Sequence, residues 1–472
     1  MTHIGYRAFH DSKNIESIIL PFVGPSRDGS NGDGQTTTHT LLGYIFNGAL
    51  TSSQNAECVP ASLKKVTLTD TTWIPKNAFV QCTHIESIEL PKGLTSIGDF
   101  AFCECHRLVD INIPEGVKTI GGSAFSGCRA LPRIEFPNTV TRLGDWALCE
   151  CFAMTELVIP NGVTELEEGL CYDATALAHV EIPESVTEIG DWVFCGCVSL
   201  KDIYLPRSIT YIGAEILWGC EGLESITIPF VGMGEGDTEP YFGYLFGDAS
   251  CWEQGENAPP KLTSVTILSG DIPLWGFVGY RKLEKVVLPE NATTIGGAAF
   301  SGCNIHSIII PDSVKFIGTQ AFEGCSKLEK LVFGENSELI SIDMSAFGST
   351  SLKGDLVLPS KLTLLAEMAF SGCNHLTSVV IPKNITTILG SHVFAGCADL
   401  IVYCEAAKKP DNWSEYWAGT TQIKWGYVSN FRDLHDKLSN LPTGNEIKIG
   451  STVFTEDQLK KVLAFIDTIA LE

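Results

Sequence analysis

Apolar residues recur along this chain in a short fixed cadence, not in the long stripes of amphipathic helices. In Leu108-Val-Asp-Ile111-Asn-Ile113-Pro114 two isoleucines alternate with asparagine. Ile111 and Ile113 therefore point to one face of an extended segment and Asn112 to the other. Pro114 ends the segment because it has no N–H to give a ladder. Val117-Lys-Thr-Ile120-Gly121 reads as a second short extended piece. Ala124-Phe125-Ser-Gly-Cys128 reads as a tight turn or helical fragment that closes the unit before Leu131 opens the next.

The unit repeats. Pro91, Pro114, Pro137, Pro160, Pro183, Pro206 and Pro229 stand 23 residues apart, and a second series runs Pro289, Pro311, Gly334, Pro359, Pro382 at spacings of 22, 23, 25 and 23. A coil of this length cannot bury its own apolar face, but stacked coils bury it in continuous columns of Leu, Ile, Val and Phe. The expected fold is a repeat solenoid with a parallel β-sheet on one face, mostly β with short helical turns. It has about sixteen strand-like rungs from Ile18-Leu20 to Ile401-Tyr403, about 4.8 Å apart.

The two series share a preface. Ile19-Leu20-Pro21-Phe22-Val23-Gly24 is followed by Leu42-Gly43-Tyr44-Ile45-Phe46, and Ile228-Pro229-Phe230-Val231-Gly232 by Phe242-Gly243-Tyr244-Leu245-Phe246. This organises the chain as a first array over 1–228, opening mid-repeat with an insertion at about 22–60, and a second over 229–427 with an insertion at about 230–260. Residues 428–472 lose the period. Ser429 can cap a helix carrying Phe431, Leu434, Leu438 and Leu441, Ile447-Lys-Ile449 reads as a short strand, and Thr455 with Gln458 forms a capping box for a last helix. This helix-strand-helix segment is expected to cap the final rung, since an open solenoid end exposes core and edges. The alternative is a docking helix for another subunit.

These units resemble the BspA-type leucine-rich repeat, close to L-x-x-I-x-I-P-x-x-V-T-x-I-G-x-x-A-F-x-G-C. Ile189-Gly190 with Phe194 and Cys197, Ile295-Gly296 with Phe300 and Cys303, and Ile317-Gly318 with Phe322 and Cys325 follow it, over roughly residues 3 to 427. Tyr403-Cys404-Glu405-Ala406 with Pro410, Trp413 and Trp417 is similar to segments that end such arrays. Leu170 with Ala174 and Phe347 with Thr350 depart from the pattern by lacking the terminal Cys. The resemblance implies a leucine-rich-repeat array and a binding or adhesion role at a bacterial or protist cell surface, toward a protein or glycan partner. Function, however, lives in sites and not in folds.

Composition narrows the classes. A formal net charge of -24 repels phosphate, which disfavours nucleic acid and anionic membranes. No run of 18 apolar residues is present, so no transmembrane helix is expected. The N-terminus lacks a basic n-region and an apolar h-region and does not read as a signal peptide. Because Met1 opens within a repeat, the expectation is a fragment whose targeting and capping segments lie upstream. Of 17 cysteines, ten occupy one repeat position: Cys82, Cys105, Cys128, Cys151, Cys197, Cys220, Cys303, Cys325, Cys373 and Cys397. Reduced thiols in a tight interior column suit that periodicity. The pairs Cys103/Cys105, Cys149/Cys151 and Cys195/Cys197 recur every second repeat, roughly 9.6 Å apart, too far for one zinc to join two of them. No metal or cofactor is expected.

Catalytic signatures are missing too. No H-E-x-x-H, G-x-S-x-G or P-loop occurs. His84, His106, His179, His306 and His375 read as exposed rung residues. Asp99, Asp145 and Asp191 recur after an Ile-Gly or Leu-Gly pair, as a solvated face does and a unique catalytic dyad does not. The chain is therefore expected not to be an enzyme. The residue between the two inward aliphatics of each strand should face outward. In the first array this column reads Glu89, Asn112, Glu135, Val158, Glu181, Tyr204, Thr227, which is polar and acidic. In the second it reads Val287, Ile309, Val332, Val357, Val380, an unbroken apolar stripe. β-propensity alone explains such a stripe, and so does an interface. The stripe is the candidate partner-binding site, with self-association into a stalk or phage-tail-like assembly as the alternative use.

Overall fold

The alternation read in each unit is a strand in the computed structural model of the chain. The structure describes residues 3–26, 40–234, 240–250, 255–419 and 421–427, together with the backbone of 447–449 and 452–454 and Lys461. The architecture is a parallel β-solenoid of about 15 turns with little helix. Each coil contributes an inward aliphatic at equivalent positions of its main strand. Val66 pairs with Ile18 on one side and Ile88 on the other, and Ile226 pairs with both Ile203 and Val265. The second extended piece forms its own parallel ladder, in which Ile97 lies between Ile74 and Ile120 and Ile317 between Ile295 and Ile342.

The third side is the turn around the Ala-Phe pair. Its amides bond from coil to coil: Phe100, Phe102 and Glu104 donate to the carbonyls of Gly122, Ala124 and Ser126 at 2.9, 2.8 and 2.7 Å. The turn opens on a left-handed residue in coil after coil, with φ of 54° at Phe100, 52° at Ser123 and 57° at Trp146. One buried cluster runs from Ile4 to Ala418. Its Phe column is stacked, with centroids 5.1 to 5.8 Å apart from Phe277 through Phe300, Phe322, Phe347 and Phe370 to Phe394. Phe394 meets Trp417 edge-on, and Trp417 packs with Trp413 and Trp425. These tryptophans close the column at the last described coil.

The sixteen described cysteines are all free, and the ten repeat-position thiols are buried. From Cys105 onward each finds an acceptor one coil back: Cys105 donates to the Phe79 carbonyl at 3.1 Å, Cys128 to Phe102 at 3.3 Å and Cys325 to Phe300 at 3.0 Å, while the Cys82 sulfur accepts from Asn55 Nδ2. Where the Cys is replaced, Ala174 is buried and Thr350 turns its hydroxyl to the Phe347 carbonyl and the Cys373 sulfur. The recurrent aspartates are tied more closely than a solvated face would be. Asp99 and Asp191 accept the amides of Gly122 and Ala214 in the next coil, at 3.1 and 2.7 Å.

The prefaces act differently on different sides of the coil. On the main sheet Ser17–Leu20 pairs directly with Lys65–Leu68, and Ser225–Ile228 with Ser264–Ile267, with nothing between. On the turn side a 3₁₀ segment intervenes. Phe9 donates to Ile45 and Leu42 to Ala78, and likewise Leu217 donates to Leu245 and Phe242 to Gly276. Each insertion thus adds a layer on the turn side, and on the side of the second ladder it forms an antiparallel bridge, Ser26 with His3 and Gly234 with Tyr211. A buried polar residue holds each one: Asn55 bonds the Gly43 amide and the Val80 carbonyl at 2.7 and 2.8 Å, and Asp248 accepts the amides of Gly255 and Asn257.

Of the C-terminal reading, Ile447–Ile449 is a strand and pairs antiparallel with Thr452–Phe454, a partner the sequence reading did not name. The helices expected around Phe431 and Leu459, with their caps at Ser429, Thr455 and Gln458, lie outside the described residues.

Candidate functional site

The outward column of the second array lies where the alternation puts it. Ile309 is paired with Val332, and Val357 with Val380. Val287, Ile309 and Val357 are 42%, 67% and 59% exposed and Val332 is half-buried. Val380 departs from the reading. It is on the same column but only 7% exposed, so the stripe ends one coil earlier than expected. Its neighbours account for this. Val380 sits between Val357 and Tyr403, and the Tyr403 ring lies 4.7 Å from Tyr427 with the Lys424 ammonium 5.1 Å over it. An aromatic lid of this kind shelters the valine in a way that no β-branched neighbour would.

Beside the end of the stripe the surface dips into a groove of about 510 Å³. Phe333, Val357, Pro359, Val380 and Pro382 give it an apolar wall, and Glu335, Lys383 and Glu405 a polar rim. The sequence reading missed the groove, although its signal was present: Gly334 replaces the proline of the repeat. A Cβ on Gly334 would stand 1.9 Å from Asp312 Oδ1, so a side chain there requires the Asp312 carboxylate to move. The preceding Phe333 is held only half-buried, where Leu288, Ile310, Leu358 and Ile381 of the other coils are buried.

Some of the flanking charges are satisfied within the chain, while Lys285 and Lys330 stand exposed on the strands of Val287 and Val332. Lys353 bonds Glu329 and holds its carboxyl below the usual range. The Ser378 and Thr377 hydroxyls donate to Asp355 at 2.6 and 3.0 Å and lower it in the same way. The aliphatic column is what stays uncovered between them. On the first array the same column exposes Glu89, Asn112, Glu135 and Glu181, with Val158 and Tyr204 as isolated apolar members.

The expected chemistry of the remaining candidates is structural. Burial pushes the Cys105 thiol well above its ordinary 9.0 and Cys151 to about 12, so neither is a ready nucleophile or ligand at neutral pH. Among the described residues no group of three or more His, Cys, Asp or Glu could hold a metal ion, and no helix is long and apolar enough to cross a membrane. His179, His306 and His375 are exposed as read, while His84 and His106 are half-buried.

The model of the BspA type Leucine rich repeat region matches this chain in six copies, over residues 71–200, 170–232 and 271–401, more than half of its length. The chain belongs to that family. No curated protein matches it in sequence. Among solved structures it is similar to a leucine rich cell surface protein of Faecalibacterium prausnitzii A2-165. That protein is 24% identical, with a TM-score of 0.33, over 78% of this chain and 84% of the other. A leucine-rich repeat protein of Bacteroides ovatus is 24% identical at a TM-score of 0.33, over 77% and 92%. The T. pallidum Leucine Rich Repeat protein is 29% identical at 0.31, over 39% and 78%. Scores this low leave the family assignment resting on the repeat pattern. Leucine-rich repeat domains generally bind proteins, and their solenoid fold is typically non-catalytic.

Proposed function

We propose that this chain is a non-catalytic protein-binding module whose partner docks on the main sheet of the second array, at Val287, Ile309, Val332 and Val357, with the groove beside Val380 taking an apolar side chain. One observation carries the reading: three strongly exposed aliphatics and a half-buried fourth form one column along neighbouring strands of the main sheet. A contiguous aliphatic strip on a water-facing sheet marks an interaction site. A central aliphatic patch with a polar rim is the anatomy of a protein interface. The family resemblance extends the proposal to adhesion at a cell surface or after secretion, toward a host or matrix protein.

The test is a V332D/V357D variant. It should keep the circular dichroism and melting profile of the parent and lose binding to extracellular-matrix proteins such as immobilised fibronectin and collagen, by at least about tenfold for a central contact. A folded variant that binds every partner of the parent equally well would remove the proposal. If the parent sediments as a defined oligomer and the variant as a monomer, the same face serves self-association instead.

A further inference from the structure

The main sheet is built alike on both sides of its middle. Four strands there form one uninterrupted sheet: Asp202–Tyr204, Ser225–Ile228, Ser264–Ile267 and Lys285–Val287. Asp202, Ser225, Ser264 and Lys285 stand in register across it, and so do Tyr204, Thr227, Thr266 and Val287. A two-stranded sheet follows on either side, Glu156–Val158 with His179–Glu181 and Ser307–Ile310 with Lys330–Phe333. The second insertion falls at the midpoint but leaves this face continuous, because Ser225–Ile228 pairs directly with Ser264–Ile267.

Charge reverses across that midpoint. In the second coil on either side, Lys201-Asp202 answers Glu284-Lys285 position for position, and in the fourth Glu156 answers Lys330. All six are exposed, and among the described residues Glu156, Asp202, Lys285 and Lys330 form no ion pair. The isolated apolar members of the first-array column stand in the same two coils: Tyr204 answers Val287, and Val158 answers Val332. At the midpoint the outward residues are small, Ser225 with Ser264 and Thr227 with Thr266. The third coil sets His179 and Glu181, themselves 3.3 Å apart, against Ser307 and Ile309, with no like charge. The match ends beyond the fourth coil, where Arg133 answers Lys353.

We propose that two copies of this chain pair face to face through these eight coils, about a twofold axis that runs along the strands at the midpoint. That rotation keeps each strand position opposite its equivalent and exchanges the two halves. Every match above then forms twice, as an isologous interface requires. Laying each coil on its own copy instead sets acid near acid in the first array and lysine near lysine in the second. The charge pattern therefore selects both the occupant and its orientation. The net charge of -24 opposes any self-association, but at ~0.15 M salt the Debye length is about 8 Å and the facing charges decide. This pairing rests on reading the second-array sheet as a docking face, and it gives that face an occupant over Val287, Ile309 and Val332. Val357 and the groove lie beyond the paired coils and stay open to another protein.

The experiment is sedimentation equilibrium of the full chain in ~0.15 M salt, at up to roughly 200 µM because a face of this size is at the small end of stable interfaces. The parent should be a dimer. E156K/D202K alone and K285E/K330E alone should each weaken the pair by at least about tenfold, since either change sets like charges opposite one another. An equimolar mixture of the two variants should recover the dimer, because the lysines of one then meet the acids of the other at both ends. A monomeric parent, a variant that dimerises as the parent does, or a mixture that stays monomeric would overturn the pairing. Both charge variants keep the aliphatic column. Loss of matrix-protein binding in V332D/V357D therefore decides the docking reading, and sedimentation of the charge variants decides the pairing, each without the other.

Discussion

A single phenylalanine shows how the molecule is held together. Phe322 is fully buried between Phe300 and Phe347, 5.3 and 5.1 Å away, so each ring supplies a wall of its neighbour's site. Removing it leaves a void that coils pinned above and below cannot close. F322A should cost about 3–5 kcal/mol, read as a lowered urea midpoint. A loss near zero would mean that the column relaxes freely. The ring's place was legible from the sequence because the Ala-Phe pair keeps strict register with the prolines. The shelter over Val380 was not. It depends on Tyr403 and Tyr427, and their tilted packing is invisible to a rule that treats each strand as alternating in and out.

At the scale of elements, the two insertions are the informative departures. Their Gly- and Asp-rich composition marked them as loops. The added turn-side layer could not be read, because it is made by backbone bonds between residues tens of positions apart. Asn55 staples the first insertion through the Gly43 amide and the Val80 carbonyl, and it is wholly buried. N55A strands both groups, at about 1–3 kcal/mol each. Hydrogen exchange should therefore quicken across 42–58 while the second array keeps its protection, and unchanged exchange there would show that the insertion is held by other means. The hairpin of Ile447–Ile449 with Thr452–Phe454 escaped the reading for a local reason. Thr452–Phe454 is three residues long, too short to show an alternation of its own.

For the whole molecule, the thiol column makes stability depend on alkaline pH. Burial pushes Cys151, Cys220, Cys325 and Cys373 from 9.0 to about 12. The folded chain keeps protons that the unfolded chain releases near pH 9. The contribution is therefore complete below pH 9 and is lost as pH rises from 9 toward 12, at up to about 1.4 kcal/mol per pH unit for each thiol. The urea midpoint should be level up to about pH 9 and fall steeply between about pH 9 and pH 11, and C151A/C325A should fall less steeply. A flat profile in the parent would show that the thiols reach solvent.

Everything rests on successive coils placing one outward residue in line along the main sheet. Spin labels attached through an introduced keto amino acid, which leaves the native cysteines untouched, test this directly. Pairs joining position 89 to 181, 227 and 287 span four, six and eight coils. They should give distances that grow steadily, near 19, 29 and 38 Å at about 4.8 Å per strand and somewhat less if the stack bends. Distances that do not increase with the number of coils between the labels would contradict the stack, and with it both proposed surfaces.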